Sequence, residues 1–407
     1  MKIFESLDKV SNEEMESKIL KKWKSEDILN KTIENRKNSK NFVFYDGPIY
    51  ANAKPGIHHV FAKTIKDSIC KYRTMKGNRV LRKIGLDTHG LPIEVNVEKK
   101  LGFKSKADIE KFGIENFCKE CNKETATNID IVKKVTDQMG QFIDMENPYI
   151  TCSNEFIESE WWLIKNIFDQ GLIYHGNKVL PYCPRCGTEL SANEVSQGYK
   201  NVSVNTVIVP FKLKDEDTYV LVWTTTPWTL IDNVALCVNP NYEYLKVESM
   251  GYKFIVGKSL AEKVLGDDFK VLEELTGKDL EGLSYEQLLP FVKVEGKAFV
   301  ILADTYVTDA DGTGIVHIAP AYGEDDSRVA KENKVAFVQS VDKDGKYKIG
   351  PWEGTVVTDS DLEIEIIKYL KANDKLFKKI KLTHDYPHCW RCKKPLIYYA
   401  KPAWYIE

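Results

Sequence analysis

Six of the nine cysteines fall into three C-x-x-C pairs, Cys118/Cys121, Cys183/Cys186 and Cys389/Cys392. Such a turn offers two thiolates to one tetrahedral ion, and two turns complete a closed structural zinc site. Context separates the three pairs. "YCPRCG" (182–187) has the Pro and Gly of a tight knuckle and "HCWRCK" (388–393) follows a turn, whereas "FCKECNKE" (117–124) continues a charged helical stretch. The expected metal set is Cys183, Cys186, Cys389 and Cys392, with one structural Zn2+. His384 and His388 enter only if one of those four fails, and Cys118 and Cys121 read as unpaired helical thiols.

Two of the seven histidines are adjacent, in "PGIHHV" (55–60). A helix beginning there would offer free N–H groups and a partial positive charge to a phosphate, with His58 and His59 as added donors. Gly56 lets a ligand approach the backbone. The dipeptide alone fits one surface and one core histidine better. Asp87 ends the next apolar run, and the carboxyl ends of parallel strands are where ligands bind. A carboxylate there suits an ammonium group, or simply caps the turn "THGLP". "WTTTPWTLIDN" (223–233) closes a strand with three threonines and Pro-Trp, and "GTGIVHIAPAYGEDD" (312–326) delivers His317 and then Asp325 and Asp326. "DADGTG" (309–314) opens like a calcium loop, but its twelfth position is Pro320 rather than a glutamate.

The elements that must position these residues are legible in outline. Ser11 and Glu14 form a capping-box pattern before a helical period through Met15, Ile19 and Trp23. "FVFY" (42–45) reads as a short strand buried on both faces. A helix runs from His58 to about Met75, with Ile65, Ile69 and Tyr72 on its apolar face and Gly77 as its stop. "NRVLRKIG" (78–85) reads as a second strand. Strand, helix and strand suggest the opening of a right-handed parallel nucleotide-binding sheet. Residues 105–180 read as mostly helical, and about 200–385 as short β runs separated by Gly and Asp turns.

The expected domains are therefore 1–180, 181–199 with the first knuckle, 200–385, and 386–407 with the second. With 407 residues, 43% hydrophobic and 29% charged, the chain has room for two or three domains. A net charge of −2 carries no global nucleic-acid signature. The basic runs "KKWK" (21–24), "EKKLGFKSK" (98–106) and "KLFKKIKL" (375–382) read as solvated faces. The first residues lack the apolar core of a signal peptide, and no run of about 18 apolar residues suggests a membrane span. A cytoplasmic location is expected, where cysteines serve metal or thiol chemistry rather than disulfides.

From about residue 40 onward the sequence resembles the class I aminoacyl-tRNA synthetases, and among them the isoleucyl enzymes. "GPIYANAKPGIHHV" (47–60) resembles their HIGH signature, here Gly56-Ile57-His58-His59, and "GLDTHGLPIEVNVEKKLG" (85–102) resembles their next block. The resemblance implies the first half of a Rossmann-type α/β sheet, an inserted, mostly β editing domain and a zinc-stabilised connection. It implies ATP with Mg2+, isoleucine and tRNA(Ile) as substrates, no membrane partner, and a monomer.

By the same resemblance His59 matches the second histidine of the tetrad and contacts ATP phosphates. Gly56 stands at the first, and His58 stands on the usual glycine. Gly47 and Pro48 would line the amino-acid pocket, Asp87 would hold the α-ammonium, and His89 is a further candidate. Thr224, Thr225, Thr226, Asn233, His317 and Asp326 would form the editing site, Asp326 anchoring the ammonium of the wrong amino acid. Ile231-Asp232-Asn233 departs from the Pro-Ser-Asn or Pro-Ala-Asn common in that motif. Editing answers a physical limit, because one methylene is discriminated only about 10–200-fold by binding; the isoleucyl enzymes are the standing illustration of that figure, which is not a value obtained from this chain.

No "KMSKS"-like run precedes Glu407. The sequence thus reads as the N-terminal portion of a longer ligase. A stand-alone hydrolase of mischarged tRNA would not need the first two blocks, and a zinc-stabilised RNA-binding module would not need the threonine run.

Overall fold

The computed structural model describes residues 11–104 and 106–407. Residues 1–10, the start of the stretch read as lacking a leader, and Ser105 in the basic run 98–106 lie outside the described residues. Contacts divide the chain into two compact units, Met1–Leu172 and Ile173–Glu407.

The first unit contains α1 (Asn12–Ser25), α2 (Ile28–Glu34), β1 (Ile49–Tyr50), α3 (Ile57–Met75), β2 (Lys83–Asp87), α4 (Leu91–Leu101), α5 (Lys106–Phe112), α6 (Ile114–Gln138), β3 (Asp144–Ile150) and α7 (Asn154–Asp169). β1, β2 and β3 lie side by side, all parallel, with Ile49 opposite Leu86 and Leu86 opposite Ile150. Ile49, Ile84, Leu86, Val132 and Ile143 form the core between this sheet and α6. The α1 capping box forms, Ser11 and Glu14 bonding reciprocally. α3 stops where Gly77 takes φ +91°, a left-handed conformation that suits glycine.

Two expectations for this unit need correction. "FVFY" is no strand: Phe42 bonds Arg79 across one isolated bridge, and Val43 and Tyr45 face solvent while Phe42 and Phe44 turn inward. The second strand begins at Lys83 rather than Asn78, since the residues before it make only the isolated Asn41–Arg79 bridge; the Arg82 guanidinium turns to the Cys70 carbonyl and the Thr74 hydroxyl on α3. The apolar stripe of α3 faces outward, with Ile65, Ile69 and Tyr72 at 47%, 49% and 53% exposure. Polar anchors set the helix rotation instead. Lys63 and Lys66 reach Asp46, and Asp67 accepts from the Phe142 N–H.

The second unit contains β4 (Ile173–Cys183), β5 (Thr188–Glu189), α8 (Ala192–Ser196), β6 (Tyr199–Lys212), β7 (Tyr219–Thr224), β8 (Ala235–Val238), β9 (Glu243–Ser249), β10 (Tyr252–Gly257), α9 (Ala261–Leu265), β11 (Lys270–Thr276), α10 (Gly277–Leu280), β12 (Val300–Ala303), β13 (Ile315–Ile318), α11 (Glu324–Glu332), α12 (Ser360–Ala372), β14 (Lys378–Pro387) and β15 (Ile397–Ile406). Its main sheet has the order β11-β9-β10-β7-β6-β14, and a smaller one runs β12-β8-β13. Val207, Val209, Phe211, Val220 and Val222 enter one core, and Ile208 and Leu221 enter the other. Burial on both faces explains why "VNTVIVPF" is nearly continuous in apolar residues instead of alternating. β15 pairs with β4 over ten residues, and β5 joins its other side.

Candidate functional sites in the two units

At the N-terminus of α3, Gly56 is the extended cap residue, and its N–H donates to Nδ1 of His59 at 3.0 Å. An imidazole nitrogen that accepts carries no proton, so the proton of neutral His59 sits on Nε2, which is left as a donor. Burial, then the charges of His58 and Lys63, lowers the His59 pKa and keeps the ring neutral near pH 7. The His58 ring lies 3.9 Å from the His59 ring and folds over Gly56, where a Cβ would stand 2.8 Å from His58 Cε1. A larger residue there would make the exposed His58 ring move aside.

Gly47 and Pro48 follow Asp46, whose side chain is fully buried. Lys66 Nζ lies 2.9 Å from the Asp46 carboxylate, and the Gly85 N–H donates to it at 3.3 Å. Asp46 therefore ties this loop to both α3 and β2. Sequence reasoning passed over it, although Lys63 and Lys66 one turn apart on α3 were a usable signal. Asp87 ends β2, half-buried, and its pKa is raised by burial against the opposing effects of His89 and the Thr151 hydroxyl. Thr151 donates to Asp87 Oδ1 at 3.4 Å and lies 2.9 Å from His89 Nδ1. The Tyr50 hydroxyl holds the His89 carbonyl at 2.6 Å. This unit thus offers anion donors at a helix start and a carboxylate at the end of a parallel strand.

In the second unit, β7 ends at Thr224 and a 3-10 turn spans Pro227–Asp232. Thr224 Oγ1 accepts from the Thr226 N–H at 3.1 Å, and its hydroxyl lies 3.4 Å from His317 Nε2. Thr229, which sequence reasoning missed, is closer to that nitrogen at 3.0 Å and also meets the Thr226 hydroxyl at 3.2 Å. It lies on the same motif, one turn beyond the run. Burial pushes the His317 pKa down to about 4, so the ring is neutral, and its buried Nδ1 has no partner. Thr225 stands apart from this cluster. With Thr226 and Trp228 it lines a cavity of about 380 Å³ beside α12.

Asn233 is buried with both amide atoms used: Nδ2 donates to the Ala235 carbonyl, and Oδ1 accepts from Tyr285 at 2.7 Å. Asp326 opens α11, accepts the Ala319 N–H at 2.9 Å, and is pushed by burial up to about 7. Gly323 permits this approach, since a Cβ there would lie 2.7 Å from Asp326 Cγ. β13 and the first turn of α11 therefore deliver a neutral imidazole and a carboxyl poised to ionise.

The sulfurs of Cys183, Cys186, Cys389 and Cys392 all lie within 4.8 Å of one another, with Cys183 and Cys392 at 3.5 Å. A tetrahedral ion with sulfur ligands at 2.3 Å implies sulfur separations of about 3.8 Å. Four cysteine sulfurs placed so closely could hold a cation among them, and the donor set suits zinc. No other group of three or more such ligands converges among the described residues. Cys118 and Cys121 lie on α6 outside the cluster, as do His384 and His388 on and after β14.

The family described as tRNA synthetases class I (I, L, M and V) matches residues 18–407. The chain is 47% identical over 396 residues to an isoleucine--tRNA ligase of Clostridium novyi (strain NT), covering 97% of this chain and 38% of that protein. It is 46% identical over 395 residues to an isoleucine--tRNA ligase 2 of Bacillus anthracis, covering 96% and 38%. A ternary LeuRS-tRNA-LeuAMS complex from Agrobacterium radiobacter K84 covers 94% of this chain and 48% of its own at 17% identity and TM-score 0.38, too distant for structural comparison. The chain thus spans about 38% of the length of the curated relatives it matches.

Proposed function

Because the chain belongs to the class I tRNA synthetases of the isoleucine, leucine, methionine and valine group, we propose that its protein ligates isoleucine to tRNA(Ile) at the expense of ATP and hydrolyses valyl-tRNA(Ile). The observation that carries the ligase reading is His59, whose Nδ1 accepts the Gly56 N–H at the start of α3. In this reading the helix start and His59 hold the phosphates of ATP, which arrives with Mg2+. Asp87 holds the α-ammonium of isoleucine, and Gly47 and Pro48 border its side chain. The isoleucine carboxylate attacks the α-phosphate, pyrophosphate leaves, and the tRNA hydroxyl then displaces AMP. Such chemistry needs positioning and charge stabilisation more than acid–base groups.

The second unit supplies the hydrolytic step. Asp326 pairs with the ammonium of the valyl ester. Thr224, Thr226, Thr229 and neutral His317 hold the ester and a water, whose oxygen adds to the carbonyl. Valine and the free tRNA hydroxyl are the products. Cys183, Cys186, Cys389 and Cys392 would hold one zinc, which ties the outward and returning connections together. Among the described residues no helix is long and apolar enough to cross a membrane, and we place this protein in the cytoplasm as a monomer.

Thermal melts with a non-hydrolysable isoleucyl-adenylate analogue test the ligase reading. The analogue should raise the midpoint of the 407-residue chain more than its leucyl counterpart does, and Asp87→Ala should abolish the shift. An equal shift with both analogues would contradict it.

A further inference from the structure

Asp232 is where the threonine motif departs from the pattern it resembles, and its side chain is not on the surface. It is 1% exposed at the end of the 3-10 turn. One oxygen, Oδ2, accepts from the Tyr322 hydroxyl at 2.6 Å, the Ser340 hydroxyl at 2.6 Å and the Ser340 N–H at 2.9 Å. The other, Oδ1, is buried without a partner. Tyr322 in turn accepts the Val341 N–H at 3.1 Å and meets Trp228 edge-on at 4.9 Å.

These contacts join three segments that are distant in sequence. Asp232 and Trp228 belong to the turn after the threonines. Tyr322 lies on the short loop between His317 and Asp326, the same loop whose Ala319 N–H holds Asp326. Ser340 and Val341 form the third wall. A buried carboxylate with three donors on one oxygen is costly to assemble, and removing it strands those donors.

We propose that Asp232 is a positioning residue that sets pocket width: its clamp fixes the separation between the threonine turn and the Asp326 loop, and so helps admit valine while rejecting isoleucine. The inference rests on the hydrolytic reading of this unit. Asp232 touches no reacting atom in it.

The test is the ratio of deacylation rates for valyl- and isoleucyl-tRNA(Ile), measured on the 407-residue chain and its variants. Asp232→Ala should lower the valine preference about tenfold, whereas Asp232→Asn, whose amide oxygen accepts the same three bonds, should keep it within about twofold. A preference unchanged in Asp232→Ala, or lost equally in Asp232→Asn, would overturn the proposal. A purely structural role would lower both rates together and leave the ratio alone. If Asp232→Ala does not fold, Tyr322→Phe removes one donor and should shift the ratio in the same direction; an unchanged ratio would then overturn it. A parent chain that hydrolyses neither ester would sink the hydrolytic reading instead. Backbone hydrogen exchange then decides the clamp: Asp232→Ala must deprotect residues 226–233 and 340–341 together, and unchanged protection would refute it.

Discussion

Burial holds the Asp326 carboxyl up to about 7, against an unfolded value of about 4, and two consequences follow at this single residue. Below its pKa the group is neutral and cannot pair with an ammonium. Deacylation kcat/KM should therefore rise as pH increases through about 7, and Asp326→Asn should be slow and lack that rise. Stability runs the other way. Between about pH 4 and 7 the folded chain keeps a proton that the unfolded chain has released, so this group's contribution to stability is largest below pH 4 and is lost as pH approaches 7. Asp326→Asn should consequently melt at a higher temperature than the parent at pH 8; a lower midpoint would show that its carboxylate is better solvated than the geometry implies. At the other unit, Gly56→Ala would place a Cβ against His58. It should weaken binding of the isoleucyl-adenylate analogue, read as a smaller thermal shift. His58, His59 and the threonine run were visible as residue types in odd company, whereas Asp46 and Thr229 gained meaning only from contacts made across the fold.

At the scale of elements, α1 and α3 were legible because their apolar residues recur at helical spacing, and the second unit because its short β-rich runs are set off by Gly and Asp turns. Spacing does not say which face of α3 packs, and Asp46, Asp67 and Arg82 settle that. It also missed β3, whose sequence "DMENPYI" has little strand character and is held by pairing with β2. The cysteine knuckles belong to this scale as well. They join the end of β4 to the turn before β15, 206 residues apart (389 − 183). Purified protein should carry one zinc per chain. Chelation or Cys389→Ser should lower the melting midpoint and slow valyl-tRNA(Ile) hydrolysis, while adenylate-analogue binding survives. Full hydrolysis by metal-free protein would remove zinc from the account. Tyr285→Phe offers a finer probe: it strips the donor from buried Asn233 Oδ1 and should cost about 1–3 kcal/mol in denaturant unfolding.

For the molecule as a whole, the proposed function divides between the two compact units, with phosphate and ammonium recognition assigned to the first and ester hydrolysis to the second. The broad assignment was legible because its motifs are long and local. The boundary between units was less so. Contacts place it between Leu172 and Ile173, while composition suggested residue 180, because β4 belongs to the ribbon it forms with β15 and not to the helices before it. The most direct test of the account is the deacylation of valyl-tRNA(Ile) against isoleucyl-tRNA(Ile) by the 407-residue chain, with His59→Ala and Asp326→Ala alongside. We expect valyl ester to be cleaved at least about tenfold faster, with the preference intact in His59→Ala and the activity lost in Asp326→Ala. Equal cleavage of both esters, or full activity in Asp326→Ala, would contradict it.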